Sequence, residues 1–99
     1  VLTLTEYIKL VPTLAEPHFV LAELYLALGD TANATKEAAL GKAHYTPHLL
    51  TAKRAAAYYE KVLDLSNAKF FLVEILSFEP SNEAARYDLD MILEHEQSN

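Results

Sequence analysis

The sequence predicts an all-α fold of about six helices, and three observations predict it. Only two glycines and four prolines occur among the 99 residues, whereas alanine, leucine, glutamate and lysine are frequent. Apolar residues recur at three- and four-residue spacing along most of the chain. The chain also resembles itself when it is shifted by 34 residues, a period typical of stacked helical hairpins.

The predicted helices each contain apolar residues at helical spacing and are bounded by a cap or a proline. Pro12 ends the first, and the later ones contain the apolar positions within 21–28, 58–63 and 71–78. Connections of two to four residues require consecutive helices to be antiparallel neighbours. The helices are predicted over residues 1–11, 14–28, 31–45, 48–63, 66–78 and 82–96.

The helix ends carry residues suited to them. Asp30 and Asp64 stand where second helices of hairpins begin, and aspartate accepts hydrogen bonds from the free amides of a helix start. Gly29 suits the left-handed residue that closes the preceding helix. Either Ser81 or Asn82 caps the last helix. The shift by 34 aligns Ala22 with Ala56, Tyr25 with Tyr59, Asp30 with Asp64, Asn33 with Asn67, and Ala34 with Ala68.

The composition narrows the class of protein. The length suits one domain of about 100 residues, and the absence of cysteine excludes disulfides, thiolate zinc sites and cysteine nucleophiles. A net charge of −6 argues against nucleic acid as a partner. The longest apolar runs have five residues, whereas a membrane span needs about 20. Because the chain begins at Val1 without an initiator methionine or a leader, we expect a fragment of a longer protein.

Two stretches of the sequence resemble a known repeat. Residues 21–30 read Leu-Ala-Glu-Leu-Tyr-Leu-Ala-Leu-Gly-Asp, similar to the first helix and turn of tetratricopeptide repeats (TPR). Residues 75–82 read Ile-Leu-Ser-Phe-Glu-Pro-Ser-Asn, which resembles the proline-terminated second helix of that family. The resemblance covers the whole chain and implies a right-handed superhelix of antiparallel hairpins. It divides the chain into a preceding second helix (1–14), two repeats (15–48 and 49–82) and a terminal capping helix (83–99).

The chain departs from the family pattern at several positions, and a generic solenoid or plain helical bundle is the alternative fold. Leu63 stands where the family has glycine, so we expect that turn to close differently. Gly41 and Ile75 replace an alanine late in the second helix. Asp90 replaces a small residue, so we expect the last helix to face solvent on a side that packs in other repeats.

The resemblance implies a concave groove that binds a peptide or a partner domain. A wall of aromatic residues, methionine and leucine with a few charges suits an amphipathic or extended segment. Lys53 and Lys61 favour an acidic ligand unless they belong to a solvated helix face, and Ala57 replaces the asparagine of a chaperone carboxylate clamp. The implied groove residues are Glu16, Phe19, Glu23, Leu26, Leu50, Lys53, Ala57, Glu60, Lys61, Tyr87, Met91 and Glu94.

The sequence does not indicate catalysis, a cofactor or a metal site. His44 and His48 have the spacing of a helical metal pair, but Pro47 breaks the helix between them. No phosphate loop, nucleophile elbow or nucleotide fingerprint occurs. Tyr87 is the tyrosine better placed for recognition. We expect Tyr25 and Tyr59 in the core, and a solvated acidic helix to carry Asp88, Asp90 and Glu94.

The leading hypothesis is therefore a protein–protein interaction scaffold that is not an enzyme. The alternative is homotypic assembly through helix 1–11, which lacks a covering first helix and leaves apolar residues such as Leu4 and Ile8 short of partners. A third hypothesis, compatible with both, is an accessory domain of a larger membrane or enzymatic protein. The partner and the compartment stay open.

Overall fold

The computed structural model describes residues 15–97, and within that range the protein is all-helical, with no strand. The prediction of an all-α fold is confirmed. The predicted helix 1–11 lies outside the described residues. The helices are α1 (Ala15–Ala27), α2 (Thr31–Ala43), α3 (Leu49–Lys61), α4 (Leu65–Phe78) and α5 (Glu83–Gln97).

The predicted bounds of these helices lie within two residues of the observed ones at every end. The start of α3 lies 34 residues after that of α1, because 49 − 15 = 34, and α4 follows α2 by the same interval, because 65 − 31 = 34. In each pair a three-residue turn joins helices that pack against each other, so α1–α2 and α3–α4 are helical hairpins. The first helices of the two hairpins also pack together, and α5 packs against α4.

The predicted aspartate caps are present at both second helices. Asp30 Oδ1 accepts from the backbone N–H of Asn33 at 3.1 Å, and Asp30 Oδ2 accepts from Asn33 Nδ2 at 2.7 Å. Asp64 and Asn67 repeat these two bonds at 3.3 and 2.8 Å. At α5 the capping residue is Asn82, whose Oδ1 accepts from the third helical amide at 3.0 Å. Short-range sequence therefore sets where each of these helices begins.

The two hairpin turns close in the same way, and the prediction that Leu63 changes the turn is wrong. Gly29 has φ 81° and Leu63 has φ 60°, so both residues occupy the left-handed region. The next residue of each turn donates the same hydrogen bond: Asp30 N–H to the carbonyl of Tyr25 and Asp64 N–H to that of Tyr59, both at 2.9 Å. Leucine in this conformation costs about 1–2 kcal/mol. Because its side chain is 78% exposed, burial of the leucine offsets little of that cost.

Phe71 is the centre of a buried aromatic cluster that joins the hairpins. Its fully buried ring lies 5.6 Å from that of Phe19 on α1 and 4.9 Å from that of Tyr45 before α3. The ring of Tyr59 on α3 stacks on it at 5.8 Å. Tyr59 Oη also donates to the carbonyl of Ala38 at 3.3 Å, so the buried hydroxyl has a hydrogen-bond partner. Rings from both hairpins thus share one core.

Small residues allow this close packing. The aligned alanines Ala22, Ala34, Ala56 and Ala68 are all at most 2% exposed, as expected for helices in close contact. Gly41 on α2 is also buried, and a Cβ added there would lie 2.9 Å from Cε2 of Phe19. The absence of a side chain at position 41 therefore makes room for a phenylalanine ring.

The burial of Phe19 corrects the sequence analysis, which placed it in the partner groove. The residue is 0% exposed and packs against Phe71, Tyr59 and Gly41. The position that the TPR resemblance assigned to a groove is occupied by a core residue, because glycine on α2 leaves a space that the ring fills.

Helix α5 is buried on one side only. Its core side carries Ala85, Leu89 and Ile92, each at most 6% exposed. Asp90 is exposed, as expected from the replacement of a small residue by aspartate. Within residues 15–97, no helix combines the length and the apolar character that crossing a membrane requires.

Replacing Leu63 with glycine is expected to stabilise the protein by about 0.5–1 kcal/mol, because relief of the left-handed strain exceeds the added entropy of the unfolded chain. The matched change Gly29→Ala introduces the same strain into the first turn and is expected to destabilise by about 1 kcal/mol. Urea unfolding measures both. A destabilised Leu63→Gly variant would contradict the interpretation of this turn.

Gly41→Ala is expected to destabilise the protein although alanine favours helix by about 1 kcal/mol. The new methyl group collides with the buried ring of Phe19, and overpacking costs about 1–3 kcal/mol. Phe19→Leu should lower the free energy of unfolding less in the Gly41→Ala background than in the wild type, because leucine relieves the collision with the new methyl group. Thermal unfolding of the four proteins forms a double-mutant cycle, and simple additivity would reject the predicted contact.

Candidate partner-binding groove

A groove of about 210 Å³ runs between α3 and α5. Lys53, Ala57 and Glu60 lie on one side of α3 because residues three and four apart share a helix face. Ala84 and Asp88 of α5 form the other wall, and buried residues such as Leu72 form the floor. Three of the groove residues implied by the TPR resemblance are thus brought together.

Lys53 forms an ion pair within the protein. Its Nζ lies 3.1 Å from Oε1 of Glu79, and the same oxygen accepts from Nδ2 of Asn82 at 2.9 Å. Hydrogen bonds from Asn82 and then from Lys53 lower the pKa of Glu79. The pair is exposed and contributes little stability. Its importance is that Lys53, which was predicted to attract an acidic ligand, already has a carboxylate partner.

Glu60 of α3 and Asp88 of α5 are two half-buried acidic residues that line this groove from its two sides. Burial raises the pKa of Glu60, and the charge and hydrogen bond of Asp88 raise it further. Both effects disfavour the carboxylate form, because a buried charge loses hydration and a second negative charge repels it. With Lys53 compensated by Glu79, the groove has a net negative character.

The groove residues predicted on α1 and at the two ends of α3 lie outside this groove. Glu16 forms an ion pair with Arg54, with Oε1 and Nε 3.7 Å apart. Glu23 is half-buried, while Leu50 and Lys61 are exposed, Leu50 at 46%. These residues line no part of the α3–α5 groove.

Leu26 is partly buried and packs against the core. It contributes mainly to packing, as Phe19 does, rather than to an open surface.

On α5 the predicted residues lie on different sides. Met91 is 50% exposed and lies three residues after Asp88, so the two share a helix face. Tyr87 is 65% exposed and lines a separate hollow with Arg86 and Asp90. Glu94 is exposed.

Ala84 and Asp88 line the groove without having been predicted there, and Asp88, expected on a solvated acidic helix, is half-buried, whereas Asp90 and Glu94 are exposed. Both residues could have been identified from the sequence, because they adjoin the apolar positions of α5 that form its core side, Ala85, Leu89 and Ile92. A side chain next to a buried helix stripe faces the neighbouring helix.

A larger cleft of about 520 Å³ lies between α2 and the α3–α4 turn. Its polar groups already bond to one another. Asp64 caps α4 through Asn67, Asn67 Oδ1 accepts from Lys42 Nζ, and Tyr59 donates to Ala38. These polar groups of the cleft are therefore already engaged within the protein.

The histidines of the described chain have structural contacts. His48 caps α3, since its Nδ1 accepts from the backbone N–H of Thr51 at 3.3 Å. His18 is buried, its Nδ1 lies 2.9 Å from Oε2 of Glu37, and its ring stacks on that of His44 at 5.9 Å. Within residues 15–97, no group of three histidine or acidic side chains is arranged to hold a metal ion.

Comparison of the chain with protein-family models, with curated proteins and with solved structures gives no significant match. Function is therefore inferred from the contacts and charges of the groove itself.

The pKa of Glu60 predicts a pH-dependent effect of Glu60→Gln. A raised carboxyl pKa in the folded state stabilises below the pKa of the unfolded chain, and this stabilisation is lost as pH rises through the folded value. Wild type and variant should therefore have similar stability in acid, and the variant should become the more stable at neutral pH. Because Glu60 keeps some contact with solvent, we expect the stability gained to be below about 1 kcal/mol. Urea unfolding from pH 3 to pH 7 measures it.

The control for this experiment is the same substitution in an Asp88→Asn background. Once the Asp88 charge is removed, Glu60→Gln should change stability by a smaller amount across the pH range, and that remainder reports burial alone. An undiminished effect of Glu60→Gln would mean that Asp88 does not face Glu60.

Proposed function

We propose that this chain is a TPR-type helical-hairpin domain that binds a segment of a partner protein across its first helices, α1, α3 and α5. The hairpins α1–α2 and α3–α4 support this proposal, since their helix starts recur after 34 residues and their caps match. Stacked hairpins offer an extended surface because each one contacts only its neighbours. In the TPR arrangement that surface is concave.

The single observation that carries the binding proposal is the exposed apolar surface on first helices. Leu50 on α3 is 46% exposed and Met91 on α5 is 50% exposed, and the groove with its alanine walls lies between α3 and α5. Exposed apolar residues on the helices that border a groove with a polar rim are typical of interaction sites. Methionine suits such a site because its flexible side chain adapts to a partner.

A protein segment fits this groove better than a small molecule. Pockets for small molecules enclose about 300–1,000 Å³ and bury most of the ligand. The groove has about 210 Å³ and runs along the helix surface, so it suits a side chain of a longer segment. In this proposal the domain is not an enzyme, and its residues act by binding.

Two further hypotheses stay predictions. Homotypic assembly through helix 1–11 concerns residues outside the described range. The role of accessory domain concerns a larger protein, and it is compatible with partner binding.

The proposal predicts that Met91→Glu removes binding, whereas Val73→Glu leaves it intact. The two residues are 50% and 49% exposed, and Val73 lies on α4, a second helix of a hairpin. A displayed library of random 16-residue peptides is selected against the 99-residue chain, and bound peptides are measured by fluorescence anisotropy. We expect at least a roughly tenfold weaker affinity for Met91→Glu, because a charge replaces an apolar contact.

Circular dichroism of both variants checks that the fold is retained. Selected peptides that lose affinity with Val73→Glu and keep it with Met91→Glu would place the binding surface on the second helices and reject the proposal.

A further inference from the structure

The charges of the α3–α5 groove indicate which kind of partner it accepts. The groove is lined by one basic residue, Lys53, and two acidic residues, Glu60 and Asp88. Lys53 is 3.1 Å from Glu79 and is thereby compensated. Within residues 15–97, no lysine, arginine or histidine nitrogen lies within ion-pair distance of Glu60 or Asp88. The described part of the chain thus places two acidic residues in one groove without supplying a cation to pair with them.

We propose that the segment bound in this groove is cationic, and that one of its lysine or arginine side chains lies along the groove with its charged head between Glu60 and Asp88. This inference rests on the proposed function and names the class of partner. A cation at this point relieves the repulsion of the two carboxylates and restores part of the solvation that burial removes. The raised pKa of Glu60 is consistent with this, because burial and Asp88 both disfavour its charged form and a bound cation would favour it.

The shape of the groove fits the same side chains. Ala57 and Ala84 leave its walls without bulk, and its floor is formed by Leu72 and Ile75. Lysine and arginine carry an aliphatic stem that lies against apolar surface while the charged group stays at the polar end. Met91, half-exposed and one turn beyond Asp88, adds apolar contact for the rest of an amphipathic segment. Charge and apolar surface therefore select the same ligand.

Other occupants fit less well. An acidic segment would bring a third negative charge to Glu60 and Asp88 and is disfavoured by repulsion. A nucleic acid is disfavoured for the same reason, and the whole chain carries a net charge of −6. A second copy of this chain carries that same net charge.

The test uses the selected peptide library and two charge-matched double variants. Glu60→Gln with Asp88→Asn removes two negative charges from the groove, and Glu83→Gln with Asp90→Asn removes two from the exposed side of α5. We expect lysine or arginine to be enriched among the selected peptides. Their affinity should fall on the order of tenfold or more for the first variant, and much less for the second, because hydrogen bonds between charged groups are lost only there. Higher salt should weaken binding of wild type more than that of the first variant.

The outcomes separate this inference from the proposed function. Peptides that depend on Met91 but are acidic or neutral, or that bind the Glu60→Gln, Asp88→Asn variant as tightly as wild type, would overturn the cationic partner and leave the binding domain standing. An equal loss of peptide affinity with both double variants would show that only the net charge of the domain matters, and it would also overturn the cationic partner. Self-association of the chain that the Glu60→Gln, Asp88→Asn variant abolishes would assign the groove to a second copy instead. If no selected peptide depends on Met91, the proposed function itself fails.

Discussion

The stacking of rings around Phe71 is the interaction on which the rest of the structure depends. Phe19, Tyr45 and Tyr59 reach this ring from α1, from the α2–α3 connection and from α3. Helical hairpins with polar outer faces have little apolar area of their own, so a shared cluster of large rings supplies much of the burial that holds neighbouring units together. The position of α3, and therefore of one groove wall, follows from this packing.

Most of the helical architecture could be predicted from the sequence because its signals are local. Apolar spacing and aspartate caps act within one or two helical turns, so the helix bounds and the caps at Asp30 and Asp64 agree with the structure. The conformation of Leu63 could not be predicted from its own preference. The bonds that close the turn, together with the Asp64 cap that follows, hold the leucine in the conformation that glycine adopts at position 29.

The candidate site could be predicted only in part, since it depends on contacts between helices. Lys53, Ala57 and Glu60 were implied by the TPR resemblance, and they line the groove together because their spacing places them on one face of α3. The burial of Phe19 depends on Gly41, a residue of another helix, and the half-burial of Asp88 depends on the rotation of α5 about its axis. Such relations between residues distant in sequence are set by packing, and a pattern transferred from a family does not contain them.

The one-sided burial of α5 couples the groove to local motion. This helix contributes Ala85, Leu89 and Ile92 to the core, but its tyrosine, Tyr87, is 65% exposed and takes no part in the cluster around Phe71. Detachment of α5 would therefore break none of the ring contacts of Phe71, and we expect this helix to open at a lower free energy than the hairpins it covers. Since α5 is one wall of the groove, each opening removes the site. A ligand bound there would slow hydrogen exchange along α5 first. Exchange of the backbone amides of this one helix would therefore report the occupancy of the groove.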